Sequence, residues 1–285
     1  LHFSLANAQT ERWIARHLQL PEGYQATLHE GVGSTRLEQD GEGLIAVLND
    51  VTVKFDFDAS DVSTVAIAVD RRLLVSARLR PLRSLDRLRS AIVAGRAFRS
   101  PTDLLAQLLR EQAEVLASIV RESAGRVDRI EDKLLVNRIV ATRSELGTLR
   151  RVLVRLQRLL APEPAAIFRL LSRPPRWLSE ADVQDLREAA EEFSAVVADS
   201  ASLVERVKLI QEELGSLVTE QTNRTLFVLT VVTVAALPIN LVAGLMGMNV
   251  GGIPFGASAH GFWTVVGLLA ATTALVGLVA LRRRE

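Results

Sequence analysis

The spacing of apolar and polar positions divides the chain into regions of different periodicity. Within residues 1–99, short runs rich in Val, Ile and Leu at 43–48, 64–69 and 73–77 read as strands, with Asp70 and Arg71 turning the chain between the last two. Helical spacing at 10–18 and 82–93 lays helices on that sheet, which predicts a small mixed α/β domain. Gly31-Val32-Gly33 and Gly41-Glu42-Gly43 read as turns, since neither opens a helix with the Lys-Ser/Thr pair of a phosphate loop. Ser100-Pro101-Thr102-Asp103 then supplies a cap, a first-turn proline and an acidic third position. An amphipathic pattern follows to about Arg158 with a break near 137–144, so two antiparallel helices are expected. Pro162, Pro164, Pro174 and Pro175 punctuate the next stretch, after which Ser179 and Asp182 form a capping box. No further proline occurs before Pro238, and one helix over 180–245, roughly 100 Å long, is predicted. Its first half carries Leu203, Val207, Ile210, Leu214 and Leu217 at helical spacing.

Charge changes this picture at residue 225. From there to Leu281 the chain contains no Asp, Glu, Lys or Arg, and it closes on Arg282, Arg283, Arg284 and Glu285. The charge-free block splits into 225–246, a Gly-rich stretch at 247–261, and 262–281. At 1.5 Å per residue the two apolar runs reach roughly 33 and 30 Å, which matches a hydrocarbon core of about 30 Å. Two membrane spans are therefore expected; a buried hairpin in a soluble core is the alternative, and core helices rarely run so long without a charge. A block at this end of the chain is not a cleaved signal peptide, and a start at Leu1 without methionine reads as trimmed. Arg206, Lys208 and Arg224 precede the first span and three arginines follow the second, whereas the loop between them has no Lys or Arg. Both termini should then be cytoplasmic, with Trp263 at the outer interface.

One face of the first span is polar or small. Steps of three and four from Asn223 visit Leu226, Thr230, Thr233, Leu237, Asn240, Gly244 and Gly247. An amide buried in hydrocarbon without a partner costs several kcal/mol, so this stripe should face water or other helices. Small residues and hydroxyls also serve plain helix contacts, which is the competing account. Pro238 frees the carbonyl of Val234 in the same span. Two spans cannot enclose a pore, so a water-facing stripe requires several copies around an axis.

Composition narrows the chemistry. The 34 basic and 33 acidic residues leave a net charge of +1, with no surplus to neutralise nucleic-acid phosphates. Zero cysteines exclude disulfides, thiolate metal sites and thiol catalysis. No nucleophile–base pair at motif spacing, metal-hydrolase helix or nucleotide loop is present, which argues against an enzyme; nor is any cofactor indicated. Residues 133–158 carry seven basic residues and one acidic, Glu145, while 180–220 carry eleven acidic and three basic. These surpluses attract one another across copies, gather cations near an inner mouth, or are simply solvated faces.

The first span ends in Gly247-Met248-Asn249, and here the sequence resembles the CorA family of divalent-cation transporters. The run PINLVAGLMGMN from Pro238 to Asn249, the two-span hairpin and the Arg-rich tail carry the resemblance over about residues 100–285. Gly251-Gly252-Ile253-Pro254 and His260-Gly261-Phe262-Trp263 are similar to the ZntB-like zinc-transporting branch, and the loop lacks the acidic residue usual in magnesium-transporting members. The resemblance implies an α+β fold: an N-terminal αβα cytoplasmic domain (1–99), a helical arm (100–178), a stalk helix (179–224), a pore-lining first span (225–246), an extracytoplasmic loop (247–261), and a second span with a basic tail (262–285). It further implies a funnel-shaped homopentamer in the bacterial inner membrane, in contact with lipid, with Gly247, Met248 and Asn249 as the outer selectivity ring. Neutral Asn249 oxygens can bond the waters of a hydrated divalent ion and still release it; Gly247 permits close approach, and Met248 either packs the ring or meets the ion. Zinc is the expected cargo, with magnesium, cobalt or nickel as alternatives and a membrane-anchored coiled-coil scaffold as the reading from another class. A dehydrated zinc ion prefers His or Cys ligands, and of His2, His17, His29 and His260 only the last lies near the membrane, so the cargo should travel hydrated. Members of the family bind regulatory divalent ions between cytoplasmic domains. Asp182, Asp185 and Glu188, spaced by three on one helix face, are the candidate ligands, and helix-start acids favoured by the dipole are the alternative.

Overall fold

The computed structural model describes residues 1–29, 35–58, 60–135, 139–248 and 260–282. Contacts divide the chain into two compact units, Leu1–Gln211 and Glu212–Glu285. The first holds strands β1 (His2–Ser4), β2 (Arg36–Asp40), β3 (Gly43–Val51), β4 (Val62–Val69) and β5 (Leu74–Arg78). Its helices are α1 (Thr10–His17), α2 (Tyr24–Thr27), α3 (Arg83–Val93), α4 (Pro101–Leu135), α5 (Ile139–Leu160), α6 (Pro162–Leu171) and the start of α7 (Glu180–Met246).

The five strands form one sheet in the order β1-β5-β4-β3-β2, antiparallel except for the β1–β5 pair. Alternation along β3 and β4 sorts side chains onto two faces. Leu44, Ala46, Leu48, Val65, Ile67 and Val69 pack against Leu85 and Leu88 of α3, Leu105 and Leu109 of α4, Ile167 of α6 and Leu186 of α7. Ile45, Ala66, Ala68 and Val75 face the other way, onto Ile14 of α1 and Tyr24 of α2. Both faces are covered, which is the expected αβα layering, and it explains why these strands read as continuous apolar runs.

The predicted strands at 43–48, 64–69 and 73–77 are present, but two edge strands were not legible. β1 is three residues long, and β2 reads Arg-Leu-Glu-Gln-Asp with a single apolar position. The turn at Asp70 is an Asx turn: its Oδ1 accepts from the N–H groups of Arg72 (2.7 Å) and Leu73 (2.8 Å). Gly41 turns β2 into β3 at a φ of 59°, as the turn reading requires. Gly31-Val32-Gly33 lies outside the described residues.

The helical arm departs from expectation in two places. The break placed at 137–144 is shorter, because α5 is already helical at Ile139; no proline or glycine lies between Ile139 and Leu146 to hold the chain out of a helix, and the next turns bury Leu146 and Leu149. Lys133 Nζ reaches Glu145 Oε2 (3.2 Å) across the reversal. The prolines at 162 and 164 do not merely punctuate. They open α6, where the missing N–H groups would have had no helical partner in any case.

Reciprocal bonds start α7. Asp182 N donates to Ser179 Oγ (3.1 Å) and Ser179 N donates to Asp182 Oδ2 (3.2 Å), the predicted capping box. The helix runs 67 residues, about 100 Å at the standard rise. Within the first unit it buries Leu186, Ala189, Ala190, Phe193, Leu203, Val207 and Ile210. Arg206 ties it to α4, bonding Asp128 Oδ1 (2.7 Å) and Glu131 Oε2 (2.5 Å). Those bonds raise the Arg206 pKa further, so this cation serves a structural pair and Arg224 is the one that adjoins the apolar segment.

The second unit contains the rest of α7 and α8 (Gly261–Arg282), 22 residues long. An 18-residue window of α7 is apolar enough to cross a membrane, and none of it is buried within the chain. On α8, Trp263 (71%), Leu268 (67%) and Leu275 (62%) are equally open. Apolar surface left bare over this length needs an apolar surrounding.

Candidate functional site: the polar stripe of α7

The stripe expected from the sequence lies within α7 from Asn223 to Gly244, and the helix continues unbroken through Pro238. At 100° per residue, Asn223, Leu226, Thr230, Thr233, Leu237, Asn240 and Gly244 fall within about one third of the helix circumference. All seven are exposed in the single chain, and Leu226 and Leu237 are 54% and 64% open. Among the described residues nothing covers this face.

Its hydrogen bonding refines the sequence argument. Thr230 Oγ1 donates to Leu226 O (2.8 Å) and Thr233 Oγ1 donates to Leu229 O (2.8 Å). Both hydroxyl protons are therefore satisfied inside the helix, as is usual for threonine in apolar helices, and neither threonine forces the face toward water. That requirement rests on the amides. Among the described residues no hydrogen bond reaches the side chain of Asn240 or Asn223.

Glycine opens the end of the stripe. A Cβ at Gly244 would meet nothing within 4 Å, whereas one at Gly247 would stand 3.2 Å from the Ala243 carbonyl oxygen. The helix ends at Met246, and Gly247 N still donates to Ala243 O (2.9 Å). Met248 is 49% exposed. Asn249 and the loop as far as residue 259 lie outside the described residues, so of the predicted ring only Gly247 and Met248 are placed. His260 lies just before α8, with its carbonyl accepting from Thr264 Oγ1 (3.0 Å). Trp263 stacks edge-on with Phe262, ring centroids 5.4 Å apart.

The acids expected to bind a regulatory ion sit among serine and arginine partners. Asp185 pairs with Arg99 and lies 3.8 Å from Arg110, which is also 3.8 Å from Glu188. Asp182 accepts from Ser100 Oγ (2.6 Å) and from Ser179. Partial burial raises its pKa, but the Ser100 and Ser179 hydroxyls, the Ser179 N–H and Arg99 outweigh that and hold the carboxyl below its ordinary value. Asp185, then Asp103, push the Arg99 guanidinium upward in turn. Serines and arginines thus occupy carboxylates that a cation would need, and among the described residues no group of three or more His, Asp or Glu could hold a metal. The cluster pins the start of α7 to the start of α4. Sequence spacing displayed the acids but not Arg99 and Arg110, whose pairing closes a long loop in the chain.

Comparison with known proteins gives this geometry a context. Residues 1–283 match the family described as CorA-like Mg2+ transporter protein. The divalent cation transporter CmaX of Pseudomonas aeruginosa is 27% identical over 265 residues, 92% of this chain and 80% of that protein. The zinc transport protein ZntB of Pectobacterium atrosepticum is 24% identical over 280 residues, covering 98% and 84%. The full-length CmaX structure superposes with a TM-score of 0.79 at 26% identity over all of this chain and 88% of the other. The CorA magnesium transporter of Methanocaldococcus jannaschii gives 0.77 at 19% identity, covering 95% and 85%, which bears on the fold alone.

Proposed function

The chain belongs to the CorA-like Mg2+ transporter family, and from that premise we propose that the divalent cation it carries is zinc, moved hydrated through a pore that five copies build from their α7 stripes. Divalent-cation transport and residence in the membrane follow from the family itself, whose members are homo-oligomeric channels and not enzymes. The carrying observation is the bare stripe: a 67-residue helix whose membrane-length segment is unburied among the described residues, and which from Asn223 to Gly244 aligns two amides, two hydroxyls and a glycine on one face. Copies arranged around an axis cover the flanking apolar surface with each other and with lipid, and leave the stripe to water. In this reading α8 is the second span, both termini lie in the cytoplasm of a bacterial cell, and Gly247, Met248 and Asn249 form the outer ring.

Zinc is favoured over magnesium by the loop at 247–261, which contains no carboxylate to draw a strongly hydrated ion. Relatives named as zinc transporters align with nearly the whole chain. A ring of neutral amides holds first-shell waters by hydrogen bonds and strips none of them, so the ion binds weakly enough to leave. The test is uptake into liposomes holding the purified protein, scanned over zinc, magnesium, cobalt and nickel with and without a proton gradient. Zinc flux that Asn249→Ala nearly abolishes in an intact oligomer is expected. Magnesium flux in preference to zinc would reassign the cargo, and unchanged flux in the variant would remove Asn249 from the ring.

A further inference from the structure

The most polar part of the first unit's interior lies at one residue of β3. The β2–β3 ladder begins at Arg36 opposite Val47, and beyond it side chains serve the edge of β3. Asn49 N donates to Glu163 Oε1 of α6 (2.6 Å), and Asn49 O accepts from Gln112 Nε2 of α4 (2.9 Å). Asn49 Nδ2 donates to Thr35 Oγ1 (2.8 Å) and to the Leu159 carbonyl of α5 (3.2 Å). Three helices of the arm are thereby fastened to a single strand residue.

The bonding is incomplete in a telling way. Glu163 is fully buried, and among the described residues its second oxygen, Oε2, has no partner; Gln112 Oε1 is likewise buried without one. Glu163 Oε1 and Gln112 Nε2 are taken up by the N–H and C=O of Asn49, which leaves Glu163 Oε2 and Gln112 Oε1 as two acceptors that cannot satisfy each other, but a proton on Oε2 turns one of them into a donor. The charges around Glu163 favour that proton. Burial raises its pKa well above the ordinary carboxylate range; the Asn49 N–H opposes this and the Asp50 charge on β3 reinforces it. From the other packed elements, α4 presents neutral Gln112, and Arg36 of β2 turns to Glu38 (3.3 Å). Asp50 has its own task. Its Oδ2 accepts from Ser84 N (3.1 Å), capping α3 where Leu82 cannot. Burial pushes its pKa up to about 6 against the bonds from Ser84, Val51 and Leu85, so at neutral pH it is the ionised member of the pair.

We propose that Glu163 is a neutral carboxylic acid in the folded protein, donating from Oε2 to Gln112 Oε1, and that this proton latches α4 and α6 onto β3. An acid held above its unfolded value contributes stability that is complete below about pH 4.3 and lost as pH rises toward the folded value. The latch therefore loosens in the alkaline direction, within the part of the protein that carries the base of α7.

Thermal midpoints of the full-length protein in detergent micelles, taken from pH 5 to 9, test this. Glu163→Gln keeps an acceptor for Asn49 N and places a permanent N–H donor where the proton sits. It should melt at or above wild type at pH 9 and at least halve the fall in midpoint between pH 5 and 9. A variant that melts below wild type at every pH, or keeps the wild-type slope, overturns the proposal. If Glu163→Gln fails to fold, infrared spectra of the wild type decide: a protonated-carboxyl C=O band present at pH 7 and lost on alkalinisation supports the latch, and its absence at pH 7 refutes it.

Discussion

Replacing Asn240 by leucine separates the ion path from the fold. The side chain is exposed, and no hydrogen bond within the described residues holds it, so the substitution should change the stability of a single chain by no more than about 0.5 kcal/mol. Around a pore axis the same change removes a ring of amides at mid-span. A hydrated cation passing the ring bonds about two of them at a time, at about 1 to 1.5 kcal/mol each. The barrier then rises by about 2 to 3 kcal/mol, and flux falls roughly 30- to 150-fold. Thr233→Val is the internal control, since its hydroxyl proton is already committed to Leu229 O and its loss should slow transport only a few-fold. The assay is zinc entry into proteoliposomes reported by a trapped indicator, with the oligomer verified by light scattering. Asn240→Leu flux within threefold of wild type in an intact oligomer would refute the assignment of this face to the pore.

Two further outcomes concern the first unit. Phe193 is completely buried on α7, so Phe193→Ala should cost about 3 to 5 kcal/mol, read as a lower denaturant midpoint. Asp182 has a depressed pKa in the folded protein, so its contribution is present above the unfolded value and is lost as pH falls through the folded one. Asp182→Asn should therefore lower the melting midpoint at pH 6 while leaving it close to wild type at pH 3, and an equal loss at both pH values would contradict that account.

What the sequence disclosed follows the range of the interactions involved. The central strands were legible because they are buried on both faces, and the long helix because its cap, its apolar spacing and its missing prolines are all local signals. β2 was not, since an edge strand facing solvent can be almost wholly polar. The prolines of α6 misled because a residue that breaks a helix interior is welcome in its first turn. Asn49 and Asp50 interrupt an apolar run yet remain in β3, because Glu163 and Gln112, more than sixty residues further along, satisfy one and the α3 terminus satisfies the other. No local pattern announces pairings of that kind. For the same reason the spacing of Asp182, Asp185 and Glu188 did not disclose that Arg99 and Arg110 lie beside them.

The inward-turned threonine protons have one more effect. A hydroxyl that has given its hydrogen to its own helix shows the outside world only lone pairs, so Thr230 and Thr233 coat the α7 face with electron-rich oxygen. Were this face to line a pore, chloride would find hydrogen-bond donors there only at the amides of Asn223 and Asn240, while the waters of a hydrated cation could donate to the threonine oxygens. If this face lines the ion path, discrimination by sign of charge is built into the backbone geometry of a helix that carries no ionised group from Thr225 to Met246.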